Sequence, residues 1–267
     1  MPINTLPTPG EGVWVYVDGF HTTRRHRSAI QKVYARELLA STVRQWYGWT
    51  AQQYEQVHWV AHEKVINRHK MRRTHVVKLI HDILPTNKIR HRDDPTIAAT
   101  CPLCSGGVED RDHILRCPHP ERVAWRDQFL VGLEKRCTEL ETDAGVEEGL
   151  LNGLYHWFQC DKWTPAELDA ATAAERAQHE LGWRQIFNGR MATAWADVQD
   201  CFCRNEGRWG TSRNGRVWTV SILSHIWEEW FKLWDSRNAL VHRNDRASRA
   251  LAQQVDIERC IEALYAR

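Results

Sequence analysis

The chain has 267 residues, enough for one large domain or two small ones with a real hydrophobic core. Its 42% hydrophobic and 26% charged content is that of an ordinary soluble globular protein, which excludes a disordered or collagen-like chain. The net charge of +2 excludes a general polycation, so any affinity for anions must come from local clusters.

The first residues, MPINTLPTPGEG, hold no apolar run and do not read as a secretory leader. The eight Cys therefore read as thiols and metal ligands of an intracellular protein of nucleus or cytoplasm, not as a secreted disulfide framework. Val13–Val17 (VWVYV) alternates and runs into Asp18-Gly19, a hairpin signal. Asp18 also fits the metal-binding first strand of an RNase H fold. That chemistry needs several carboxylates on a sheet, and the chain goes straight into helices, so Asp18 reads as a turn residue. A basic cluster, Arg24-Arg25-His26-Arg27, follows. Ile30, Val33, Tyr34, Leu38, Leu39 and Val43 form a helical stripe over 28–46.

Between Lys64 and Arg92 lie nine Lys or Arg, four His and a single acid, Asp82. Helices are expected over 60–68 and 73–84. The second has Val76, Val77, Ile80 and Leu84 inward, and Pro85 ends it. Acids gather later, at Glu139, Glu141, Asp143, Glu147 and Glu148, so the fold is expected to carry one positive face. Its candidate nucleic-acid contacts are Arg72, Arg73, Lys78, Lys88, Arg90 and Arg92.

The stretch 93–118 is a loop that carries Cys101-Pro-Leu-Cys104, then His113, then Cys117. Two Cys separated by two residues form a knuckle whose thiolates meet one ion. His113 and Cys117, four apart, share a face of a helical turn. Three sulfurs and one imidazole suit tetrahedral zinc, with no position left for a catalytic water. Gly106 and Gly107 are expected to reverse the loop, and His119 is a possible substitute ligand. Cys137, Cys160, Cys201, Cys203 and Cys260 have no companion pattern, and Cys201-Phe-Cys203 reads as buried thiol.

Further helices are expected over 120–133, 147–160, 165–181, 184–204, 216–242 and 248–265, the third capped by Thr164 and Pro165. Val220, Leu223, Trp227, Trp230 and Trp234 follow a 3-4 spacing, widened by Ile226, Leu233 and Leu240. That face reads as core, or else as a partner-binding surface. His225, Glu228, Glu229 and Lys232 interrupt Trp218–Trp234, so it is no membrane span.

Lys78–Lys88 (KLIHDILPTNK), Cys101–Cys104 (CPLC) and His113–Cys117 (HILRC) together resemble the zinc-binding region that follows the reverse transcriptase in retrotransposon polyproteins. Weaker flanking likenesses are Trp59, Gly182-Trp183-Arg184, Gly189-Arg190 and Leu233–Asn238 with His242. The likeness covers about 55–245, most strongly 76–125. It implies an accessory, nucleic-acid-associated segment or a detached remnant, with other polypeptides of the element as further partners and no catalysis of its own. Arg237-Asn238 and His242 also match the R-N-x3-H pattern of HEPN ribonucleases. There Arg stabilises a phosphate transition state and His acts as acid or base. The preferred reading of Arg237 and Asn238 is structural, as the closing end of a core helix.

The expectation is thus a mainly α protein: a helical bundle with a short N-terminal β-hairpin and an inserted zinc knuckle. Its segments are 1–59, 60–141 and 142–267, and its function is non-catalytic binding of RNA or DNA. The alternatives are a HEPN-like RNase using Arg237 and His242, and a protein-interaction module.

Overall fold

A computed structural model describes residues 15–17, 20–22, 26–159 and 162–265. The chain divides into two compact units, Met1–Glu55 and Gln56–Arg267. Residues on both sides of position 141 fall in the second.

In the first unit, β1 (Val15–Val17) and β2 (Phe20–Thr22) pair antiparallel; Asp18 and Gly19 lie outside the described residues. Helix α1 follows (His26–Tyr47), then α2 (Ala51–Gln56) at the boundary.

The second unit is helical. α3 (Trp59–Arg68) leads through a short turn, Lys70–Arg72, into α4 (Arg73–Ile80). α4 is shorter than its apolar pattern suggests, because Asp82 takes a left-handed backbone (φ 56°) just beyond it. Leu79, not Val77, therefore faces inward with Val76 and Ile80, and Val77 is 42% exposed. Soon after Pro85, from Asn87, a further short helix begins, α5 (Asn87–Asp93). The loop that follows leads to α6 (Arg111–Arg116), α7 (Pro120–Glu139) and α8 (Ala144–Gln159).

The helix expected over 165–181 is two, α9 (Pro165–Ala170) and α10 (Ala173–Leu181). Each begins with its own capping box, Thr164 with Glu167 and Thr172 with Glu175. The second Thr satisfies the new helix start where the first helix stops. The helix expected over 184–204 is also split, into α11 (Arg184–Phe187) and α12 (Thr193–Asn205). Between them Gly189 has φ 73°, and a Cβ there would lie 2.6 Å from the Trp227 ring, so only glycine fits. Conversely, the two helices expected over 216–265 are one, α13 (Gly215–Tyr265, 51 residues). The polar stretch at 242–248 holds no Gly or Pro to break it.

The core lies where α13 packs on α3, α12, α11 and α7. Trp195, Trp227, Trp230 and Trp234 are fully buried there, so the Trp face of α13 is covered by its own chain. Trp230 and Trp234 stack with centroids 6.0 Å apart, and the Trp227 indole N–H donates to the Phe187 carbonyl at 3.0 Å. Leu240, expected on that face, is 41% exposed. No helix among the described residues is long and apolar enough to cross a membrane.

Candidate metal centre and basic surface

Two short backbone pairings shape the knuckle. Thr100 and Val108 bridge antiparallel, and the Cys101 N–H donates to the Gly107 carbonyl at 2.8 Å. The Ser105 N–H closes the turn on the Cys101 carbonyl at 3.0 Å. The left-handed residue in this reversal is Ser105 (φ 53°), not Gly106 or Gly107. Gly107 has a different role: a Cβ there would come within 3.0 Å of the His113 ring, so the glycine lets the imidazole close over the loop. Asp110 caps α6 by accepting the His113 N–H at 2.9 Å, which places His113 on the first turn. Cys117 follows the last residue of α6 with extended backbone (φ −55°, ψ 133°).

The result is convergence. One donor atom from each of Cys101, Cys104, His113 and Cys117 lies within 4.8 Å of all the others. The Cys101 and Cys117 sulfurs are 3.8 Å apart, and the Cys104 sulfur is 3.3 Å from His113 Nε2. Ligands about 2.3 Å from a tetrahedral ion stand roughly 3.7 Å from each other, so the group is the size of a zinc shell. Among the described residues no other such group of His, Cys, Asp and Glu occurs. His119 is committed elsewhere, its Nδ1 accepting the Glu121 N–H at the start of α7.

Burial pushes the Cys117 thiol up to about 12, and the neighbouring Cys104 and Cys101 sulfurs add to the rise. Burial also opposes ionisation of Cys104. The Gly106 amide and the Cys117 and Cys101 thiols outweigh it and hold Cys104 below the ordinary thiol value. A divalent ion turns such a cluster into thiolates outright. The buried Arg126 guanidinium donates to the Leu115 and Cys117 carbonyls at 3.2 and 2.9 Å, pinning the end of α6 against α7. Of the remaining thiols, Cys203 is buried but Cys201 is exposed, contrary to the expectation for both.

One residue next to the cluster carried no sequence signal. Glu109, 1% exposed, holds the Ala99 carbonyl through its own N–H at 2.8 Å, continuing the ladder that carries Cys101. Its carboxylate accepts the Asn87 N–H at 2.7 Å and the Arg237 Nε–H at 3.0 Å, and pairs with Arg237 Nη2. Arg237, also 1% exposed, further donates to the side chains of Asn87 (3.0 Å) and Asn238 (3.2 Å) and lies over the Trp234 ring. The guanidinium is thus occupied as an internal ion pair. The His242 side chain lies outside the described residues.

The basic residues differ in freedom. Arg72 pairs with Asp235 at 3.0 Å and covers Phe231. Lys88 pairs with Asp110 at 3.2 Å, and Arg92 with Asp93 at 2.9 Å. Arg90 is half-buried at the end of α5. Arg73 is exposed, and Lys78 is half-buried on the same short helix. Neither makes a side-chain hydrogen bond or ion pair among the described residues. Asp82, the one acid of the stretch, is turned to Arg184 (2.6 Å) and Arg111 (3.0 Å), and so does not neutralise them. No protein-family model, curated protein or solved structure matches this chain.

Proposed function

We propose that this chain is a zinc-stabilised, non-catalytic nucleic-acid-binding protein, akin to the accessory segment after the reverse transcriptase in retrotransposon polyproteins. The observation that carries the reading is the convergence of Cys101, Cys104, His113 and Cys117, in a chain whose preceding stretch, Lys64–Arg92, is rich in cations. Four protein donors fill a tetrahedral shell, so the ion would hold the loop rather than activate water. Arg73 and Lys78 would present charge to a phosphate backbone with no carboxylate among the described residues to displace. Arg72, Lys88, Arg90 and Arg92 would add further cations from the same stretch of chain. Contacts of this kind position a nucleic acid without reading its sequence. The partner is RNA or DNA inside a cell, with other polypeptides of such an element as further partners.

The test is fluorescence anisotropy with single- and double-stranded DNA and RNA across a salt series. The Arg73→Ala/Lys78→Ala variant should weaken binding to all sequences alike. The slope of log K against log salt should shrink by about 1.8 on duplex DNA. An unchanged slope would remove these residues from the interface. RNA cleavage in EDTA that disappears in a folded His242→Ala variant would instead make the protein a ribonuclease.

A further inference from the structure

We infer that Glu109 and Arg237 are positioning residues of the metal centre, coupling ion occupancy to the stretch of α13 around Arg237. This rests on the metal reading above.

Three separate parts of the chain meet at this pair. Glu109 closes the short ladder that contains Cys101, with its N–H on the Ala99 carbonyl at 2.8 Å. Asn87, at the start of α5, gives its N–H to Glu109 and its Nδ2–H to the Thr100 carbonyl at 2.9 Å, one residue before the first ligand. The Glu109 carbonyl in turn accepts the Lys88 N–H at 3.1 Å. Arg237 reaches into this knot from α13, 128 residues away in sequence, and both members of the pair are 1% exposed.

Position matters as much as burial. Arg237 is the last buried residue of α13 among the described side chains; Asn238 and Val241 are half-buried, and Ala239 and Leu240 are exposed. The helix backbone nevertheless continues to Tyr265. The ion pair is therefore the last buried anchor of α13 among the described side chains. A bound ion fixes Cys101 and so the ladder, which aims the Glu109 carboxylate at Arg237. Without the ion, that aim depends on the backbone hydrogen bonds of the ladder and on Asn87. A buried guanidinium that loses its carboxylate is strongly unfavourable, so the stretch of α13 around Arg237 should shift or open to hydrate it. By reciprocity, the pair must in turn favour metal binding, although neither side chain is a ligand.

The experiment uses the full chain, zinc-loaded and chelated, with hydrogen exchange read by mass spectrometry. Chelation should raise exchange over 99–117 and over 226–241 while leaving α10 protected. Because Glu109→Gln strands a buried Arg and risks misfolding, the informative variant is Glu109→Leu/Arg237→Met, which replaces the pair by apolar groups. In it, exchange over 226–241 should no longer respond to chelation. Zinc affinity, measured by competition with a chromophoric chelator, should fall about tenfold. The cobalt-substituted spectrum should stay that of the same three sulfurs and one nitrogen. Wild-type zinc affinity in the double variant would overturn the coupling. So would chelation that frees 99–117 but not 226–241, or that frees α10 and α12 equally by global unfolding. A chain that binds no zinc sinks the metal reading itself, and the coupling with it; zinc bound without coupling sinks only the coupling.

Discussion

The knuckle and the tryptophan seam of α13 are neighbours that hold themselves together by different physics. Between residues 99 and 119, only Cys101, Ile114, Leu115 and Cys117 are buried apolar residues. The seam has Trp195, Trp227, Trp230, Trp234, Phe187, Ile222, Leu223 and Ile226, all 1% exposed or less. Apolar burial is non-directional and summed over many contacts, so no single residue of the seam is indispensable to its existence. A loop with so little to bury depends on a few directional bonds. It needs all four donor atoms at once. The two regions should therefore fail differently.

The largest effect is expected from removing the metal. Structural zinc contributes on the order of 10 kcal/mol in small peptides, and on the reading proposed above it would stand in for a core the knuckle lacks. Cys117→Ser should lose one equivalent of metal and open residues 99–117 to proteolysis. A metal-free protein whose melting is indifferent to chelator would erase the contrast between the regions.

Next comes Trp227→Ala. It removes a fully buried ring and its hydrogen bond to Phe187, and should cost about 3–5 kcal/mol in urea unfolding while metal stoichiometry stays at one. Loss of metal in a still-folded Trp227→Ala protein would mean that the seam, not the four ligands, shapes the site.

The smallest effect separates the regions by pH. His62 Nδ1 meets the Gly189 carbonyl at 3.0 Å, and since a carbonyl only accepts, Nδ1 carries the proton. Burial lowers its pKa from 6.5 to about 4, with the Arg190 charge adding to the fall. The unfolded chain binds the extra proton first. The stabilisation is therefore complete above pH 6.5 and is lost as pH falls towards 4, by about 3 kcal/mol. Acid also displaces metal from thiolates, so the readout is the difference between the parent and His62→Gln, both zinc-loaded. Parallel pH profiles for the two would show that His62 titrates normally.

Legibility followed the same division. The ligand spacing named the cluster because a tetrahedral ion demands donors at short, fixed separations, which local chain geometry supplies. The 3-4 spacing named the seam because a helix buries one face. Val77 and Leu240 were misassigned where a helix ended or emerged, which periodicity does not register. Glu109 was invisible: a lone acid in a loop looks solvated, and only the arrival of Arg237 from a distant helix makes it internal. The same contact turns Arg237 from a candidate for phosphate chemistry into half of a buried pair.

The sequence by itself determined the helical class, the four donors and the inward face of α13, since each is set within one or two turns of chain. Tertiary structure decided which cations remain free. Asp235, Asp110 and Asp93 claim Arg72, Lys88 and Arg92, while Arg73 and Lys78 find no carboxylate among the described residues. It also decided that one ion pair ties the knuckle to α13. Both outcomes depend on groups far apart in sequence being brought within a few ångströms, and Coulomb interactions and hydrogen bonds act only over that distance.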